Sequence, residues 1–269
     1  MMRASVHPSA IIEAGARIAD GVTIGPFCHV GPDVQLAQGV ELLSHVVVAG
    51  HTSVGAQTRI FPFASIGHQP QDLKYRGEPS RLVIGERCQI RENVTVSPGT
   101  EGGGMETRIG NDCLLQTNSH VAHDCRIGNN VIIAAYVAIA GHCQIGDYVA
   151  FGGMCGVHQF VRIGAHAFVG AHSMIDADVI PYGMAVGNRA RLAGLNLVGL
   201  KRRRFDREAI HGLRAAYRMI FSTEGTLQER VEDAATLFRD EPLVQDIVSF
   251  VTSAKDRAIC LPAHMQSEE

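Results

Sequence analysis

His120, His123, His142 and His158 are the side chains in this sequence best suited to chemistry near neutral pH. Imidazole titrates in that range, so it can take a proton from a weak nucleophile such as a hydroxyl. It also ligates zinc, and the residue types alone leave a metal site open. Asp124 directly follows His123, and Gln159 directly follows His158. The chain holds 13 histidines in all. A single histidine on a surface is ordinary, and His29, His45, His51, His166, His172, His211 and His264 are expected to be surface residues of that kind. The four singled out differ in falling together, which requires a scaffold that brings separate segments to one patch.

That scaffold appears as a six-residue period. Stepping by six from Val6 gives Ile12, Ile18, Ile24, Val30, Leu36, Leu42, Val48, Val54, Ile60 and Ile66. The series resumes at Ile84, Ile90 and Val96. It resumes again at Ile109 and runs through Leu115, Val121, Ile127, Ile133, Ile139, Ile145, Phe151, Val157, Ile163, Val169 and Ile175. No helix has this period, whereas short strands joined by corners do. Three hexads make a triangular coil of 18 residues, and successive coils pair as parallel strands about 4.8 Å apart. About nine coils build a prism roughly 40 Å long at that spacing. Glycine is frequent at the second hexad position, as at Gly25, Gly55, Gly110, Gly128 and Gly146, which predicts a turn with an unusual backbone angle there. Cys28, Cys88, Cys113, Cys125, Cys143 and Cys155 take the fifth position, which suits small core thiols. With Cys260 the count is odd and contains no CxxC, which argues against a disulfide framework or structural zinc.

The coil places the histidines. Residues one coil apart stack, so His123, Gly141 and Gln159 form a column, with His142 and His158 beside it and His120 three residues ahead of His123. Gly141 leaves room between its neighbours. Two interruptions of the period, one containing HQPQDLKYRGEPSR and one containing Gly102–Gly104, must leave the prism as surface loops, where binding groups tend to sit. The organisation expected is a hexapeptide-repeat β-helix over 1–190, with loops near 68–83 and 99–108. Residues 191–269 follow as a connector and an α-helical C-terminal domain. Asp206 is an expected helix N-cap, Thr226 and Glu229 form a capping-box pattern, and Pro242 opens a further helix.

Composition narrows the function classes. Apolar residues make up 46% and charged residues 19%, which excludes general disorder. A net charge of −3 argues against a nucleic-acid binder with a wholly basic surface. No apolar run of about 20 residues could cross a bilayer, and MMRASVHPSA lacks the apolar run of a signal peptide, so a cytoplasmic protein with no transmembrane segment is expected. Positive charge is local. Residues 201–218 hold seven Lys or Arg against Asp206 and Glu208, a net of +5.

The hexad repeat, QDLKY at Gln71–Tyr75, HVAHDC at His120–Cys125, AGH at Ala140–His142, VHQF at Val157–Phe160 and GLKRR at Gly199–Arg203 together resemble the bacterial acyl-[acyl-carrier-protein]:UDP-N-acetylglucosamine O-acyltransferases, which open lipid A biosynthesis. The resemblance runs over essentially the whole chain. It implies a mainly β fold, a left-handed parallel β-helix with a C-terminal α-helical cap, and a homotrimer with active sites between neighbouring prisms. The implied reaction moves a 3-hydroxyacyl chain from acyl-carrier protein to the glucosamine 3-hydroxyl of UDP-N-acetylglucosamine, with no cofactor and no metal. By the same match His123 is the general base, Asp124 its orienting partner and Gly141 the backbone oxyanion donor. Gln71, Asp72, Lys74, His120, His142, His158 and Gln159 resemble substrate contacts, and Asn196, Arg202 and Arg203 resemble residues reaching the nucleotide. Ala171, with Phe168 nearby, falls where relatives limit acyl length. Asp124 can reach His123 only if the chain bends at the hexad corner, because strand neighbours point oppositely. Three positions depart from the family pattern. Many relatives have histidine where this chain has Ser97, histidine where it has Arg189, and glutamate where it has Val198.

Three other readings compete. A sister acyltransferase adds an amide-linked chain but carries a further N-terminal domain. A trimeric zinc hydratase shares the repeat and would use histidine ligands, though QDLKY and the cap helices do not suggest it. A non-catalytic scaffold leaves the clustered polar column unexplained.

Overall fold

Two-residue strands such as Arg126–Ile127, Ile132–Ile133 and Ala138–Ile139 each end on a first-position aliphatic residue. The first residue of each pair faces solvent and the second is buried, as strand alternation requires. The computed structural model describes residues 3–253 and 257–265, so the final four residues of the expected C-terminal domain lie outside the described residues. The strands stack into three sheets of 11, 9 and 8 strands, parallel except for the last strand of the first, and these are the three faces of a prism. Register follows the coil: Ile133 sits opposite Phe151, and Val121 opposite Ile139. First- and fifth-position side chains fill the interior, and all seven cysteines are buried and free.

The corners correct one expectation. Outside Gly67 at the mouth of the first loop (φ 80°), the left-handed backbone angle falls at the fourth hexad position, not the second: Asp112, Asn118, Asp124, Asn130, Tyr136, His142 and Tyr148 have φ between 57° and 63°. Second-position glycine answers to crowding instead. A Cβ on Gly110 would lie 2.5 Å from the Gly128 carbonyl oxygen, and one on Gly146 would lie 2.5 Å from Ala165 N. Adjacent coils come too close there for any side chain. A non-glycine residue held left-handed costs roughly 1–2 kcal/mol. Burial of an aliphatic side chain, worth about 1.5–3 kcal/mol, outweighs that at each hexad.

The segment read as a connector is structured. Arg191–Leu195 is a strand that pairs antiparallel with Gly183–Val186 and closes the end of the 11-stranded face. Helix α1, Leu197–Arg202, follows, with Asn196 Oδ1 accepting from Gly199 N. Both elements are too short to show a period in sequence. Helices α2 (Arg207–Ile220), α3 (Leu227–Leu237) and α4 (Pro242–Thr252) carry the caps read from sequence. Asp206 accepts from Glu208 N and Ala209 N, the Thr226–Glu229 capping box is formed, and Pro242 opens α4. Arg162 fastens α4 to the prism: it bonds Asp178 Oδ2 at 2.7 Å and donates to Phe250 O at 3.0 Å. The Tyr182 hydroxyl donates to Asp246 from the same side.

Candidate active site

Both loops leave the prism at one corner, between the nine-stranded and eight-stranded faces. The first links Ser65–Ile66 to Arg81–Ile84, and the second links Thr95–Val96 to Glu106–Ile109. The same corner of the next coil is Ala122–Cys125, so the loops stand over His123 and Asp124. Asp124 has φ 60°, the bend needed to bring it back beside its neighbour. His123 Nδ1 lies 2.8 Å from Asp124 Oδ2. An ionised carboxylate only accepts, so Nδ1 carries the proton and Nε2 keeps its lone pair.

Asp124 is buried, and Thr100 of the second loop grips its carboxylate. Oδ1 accepts from Thr100 N at 2.9 Å, and Oδ2 accepts from the Thr100 hydroxyl at 2.6 Å. Asp124 N donates to Thr107 Oγ1 at 2.7 Å. Sequence reasoning missed both threonines. The only pointer was the glycine run beside Thr100, where Gly103 packs so tightly on the Asp124 carboxyl that a Cβ would overlap it.

Gly141 lies under the base. A Cβ there would fall 2.6 Å from His123 Cε1 and 2.7 Å from Nε2, so the glycine makes the room expected of it. Its N–H has no acceptor among the described residues. His142 meets the His123 ring edge-on at 5.0 Å and stacks on Phe160 at 4.4 Å. Burial pushes the His142 pKa below the usual imidazole value, against the pull of Asp124. His120 Nδ1 is 2.7 Å from Thr95 Oγ1, and burial, aided by His123, also lowers its pKa. Arg257 donates to His158 Nδ1 at 2.6 Å, which leaves the His158 proton on Nε2. Arg257 was another residue the sequence did not single out. Asp72 Oδ2 is 3.9 Å from His123 Nε2, and the Lys74 backbone N–H holds the Asp72 carboxyl below its ordinary range.

Gln71, His120, His123, Gly141, His158 and Gln159 line a cleft of about 500 Å³, together with Ser97 and the small residues Ala138 and Gly156. Lys74 is exposed on the loop and does not line it. Phe168, Asn196, Arg202 and Arg203 lie elsewhere. They line a second cleft, about 610 Å³, on the 11-stranded face, with Ile132, Ala150, Met184 and Val198. One chain thus gathers the expected residues into two groups on two faces. Ala171 stacks with Ala135 and Gly153 at the corner between the 11- and nine-stranded faces and lines neither cleft. His166 is not simple surface decoration. Its ring stacks between Tyr148 at 4.8 Å and Tyr182 at 5.6 Å, with Phe205 edge-on at 4.9 Å. Arg203 closes that stack by donating to Tyr148 O at 2.8 Å.

Among the described residues, His123, Asp124 and His142 form the group that could hold a metal ion, with ligand atoms within 4.8 Å of one another. The Asp124 oxygen nearest both rings is already hydrogen-bonded to His123 and Thr100.

Relatives place this arrangement. Residues 15–50 and 106–141 match the bacterial transferase hexapeptide family, and residues 178–260 match domain 2 of UDP-N-acetylglucosamine O-acyltransferase. An acyl-[acyl-carrier-protein]–UDP-N-acetylglucosamine O-acyltransferase of Methylobacterium radiotolerans is 63% identical over 97% of this chain and 96% of its own length. The chain belongs to the UDP-N-acetylglucosamine O-acyltransferase family. Another member, from Azorhizobium caulinodans, is 48% identical over 97% of this chain and 96% of its own length. The solved UDP-N-acetylglucosamine O-acyltransferase of Moraxella catarrhalis superposes with a TM-score of 0.92 at 42% identity, covering 95% of this chain and 99% of that one. This chain is accordingly an acyltransferase, and its prism is a left-handed parallel β-helix. The three positions expected to depart from the family pattern fall in distinct places: Ser97 in the wall of the histidine cleft, Val198 in the second cleft, and Arg189 on the surface beside Asp176 at 3.5 Å.

Proposed function

We propose that this acyltransferase moves a 3-hydroxyacyl chain from acyl-carrier protein to the glucosamine 3-hydroxyl of UDP-N-acetylglucosamine, the opening step of lipid A biosynthesis, with His123 as general base. The observation that carries the base assignment is the bond from His123 Nδ1–H to Asp124, which leaves Nε2 free over the cleft. Nε2 takes the proton of the 3-hydroxyl as that oxygen attacks the thioester carbonyl carbon. The tetrahedral oxyanion is met by the Gly141 N–H. Collapse breaks the carbon–sulfur bond, and the imidazolium returns its proton to the departing sulfur. His120, His158 and Gln159 contact substrate from the cleft wall, with Gln71, Asp72 and Lys74 from the first loop and His142 from behind the base. The separation of the two clefts supports a homotrimer in which the Asn196, Arg202 and Arg203 face of one prism meets the His123 corner of the next. Arginine suits the nucleotide phosphates through its forked donors. Among the described residues no helix is long and apolar enough to cross a membrane, which fits work in the cytoplasm. Mass spectrometry of the product formed from UDP-N-acetylglucosamine and a mixed acyl-carrier-protein pool tests the reading. A 3-O-acylated nucleotide sugar supports it, and no acylated sugar overturns it.

The carrier protein should dock on the start of the cap. Lys201, Arg202, Arg204, Arg207, Arg214 and Arg218 are exposed, and none forms an ion pair with another described residue. Acyl-carrier protein is acidic, so the patch steers its approach, and steering weakens with salt. The apparent KM for acyl-carrier protein is expected to rise severalfold from low to high salt. A flat KM would move docking elsewhere.

Acyl length should be limited near Ala171. The Ala135, Gly153 and Ala171 column is built of small side chains and could line a groove, with Phe168 in the adjacent strand. Each methylene shut out of a groove loses about 0.8 kcal/mol of burial. Ala171→Met is expected to shift preference to shorter chains and Ala171→Gly to equal or longer ones, read by competition between carrier proteins of different acyl length. Unchanged preference in both variants would shift attention to Phe168.

A further inference from the structure

We infer that Thr100 is a positioning residue for catalysis, its hydroxyl and backbone N–H together fixing the carboxylate that orients His123. The inference rests on the reading of His123 and Asp124 as base and orienting partner. The Asp124 side chain is fully shielded from solvent, so its charge must be met by the protein itself. It receives three donors: Thr100 N–H on Oδ1, and both the Thr100 hydroxyl and His123 Nδ1–H on Oδ2. Two of the three come from one residue, and they grip both oxygens, which fixes the plane of the carboxylate. A carboxylate held only by His123 could rotate with the imidazole and would no longer define its angle.

Thr100 is itself held. Its carbonyl oxygen accepts from Gly103 N at 3.1 Å and Met105 N at 3.0 Å, and Gly104 closes this turn at φ 97°. The turn presses Gly103 against the Asp124 carboxyl from another side. Glu101 N donates to Glu78 Oε1 at 3.1 Å, which ties the second loop to the first, the loop that brings Asp72 toward His123 Nε2. The second loop therefore serves as the wall that turns a surface-corner aspartate into a buried, oriented one. Beyond Ser97 at its start, it contributes no side chain to the cleft beside His123.

Thr100→Val tests this in the full-length enzyme, because valine keeps the shape and the backbone N–H and replaces the hydroxyl with a methyl group that cannot donate. Charge-assisted bonds of this kind are the strong ones, and misplacing a catalytic group by about an ångström costs about 10²-fold. The expected result is a kcat lower by about ten- to a hundredfold, with KM for UDP-N-acetylglucosamine and for acyl-carrier protein changed less than about twofold. Thr100→Ser should restore most of kcat. A double-mutant cycle with Asp124→Asn provides a readout that loop damage would not mimic. If Thr100 acts through Asp124, Thr100→Val has little further effect in the Asp124→Asn background. Native kcat in Thr100→Val, failure of serine to rescue, or fully additive losses in the cycle would each overturn the inference. His123→Ala in the same assay separates the two levels. Near-native turnover there overturns the base assignment itself, whereas an inactive His123→Ala beside a native Thr100→Val overturns only the role of Thr100.

Discussion

Replacing His123 with alanine is expected to reduce turnover by about 10²–10⁴-fold, the usual cost of losing a general base. The fold should survive. The ring stands at a corner outside the aliphatic core, between Gly141 and the first loop, and no first- or fifth-position side chain packs through it. Thermal unfolding and oligomer size are therefore expected to match those of the parent, and KM for the nucleotide sugar should move little. Steady-state kinetics with both substrates varied would show this as a loss in kcat. Near-native turnover would remove His123 from the role and leave His120 and His142 as the remaining bases in reach. Burial lowers the pKa of both, which keeps them neutral near pH 7.

Gly141→Ala is expected to be nearly as damaging, for a steric reason. The new methyl would need to share space with His123 Cε1 and Nε2, at 2.6 and 2.7 Å. Backbone strain is not the issue, because Gly141 is not among the left-handed glycines. The ring must tilt away, its bond to Asp124 must stretch, and Nε2 must leave its place beside Gly141. Displacement of a catalytic group by about an ångström costs about 10²-fold, so a kcat loss of that order is expected, with stability changed only slightly. Native kcat would show that the ring can shift without consequence, and that Gly141 does not set the position of the base.

The repeat made much of this legible. A strict six-residue period defines the coil, and the coil stacks His123, Gly141 and Gln159 without any further information. The bend that joins His123 to Asp124 could be named as a requirement, and φ 60° at Asp124 meets it. What stayed hidden has two physical origins. Thr100 reaches Asp124 across 24 residues and Arg257 reaches His158 across 99, through loop and tail segments that obey no period. Glycine at the second hexad position was visible, but its cause was not. Crowding between coils and an unusual backbone angle both call for glycine, and only coordinates separate them. The strand Arg191–Leu195 and helix α1 were passed over as connector because neither is long enough to show a pattern.

Stacking by coils also graduates the molecule along its axis. Any groove that runs along a column such as Ala135, Gly153 and Ala171 is marked in steps of one coil, about 4.8 Å, or roughly four methylenes of an extended chain. Moving a stopping residue from one coil to the next is thus a coarse adjustment, while changing its bulk within a coil is a fine one. On the proposed reading of Ala171, a single substitution in this column is expected to reset acyl length without altering the fold, the proposed base or the loops that shelter it.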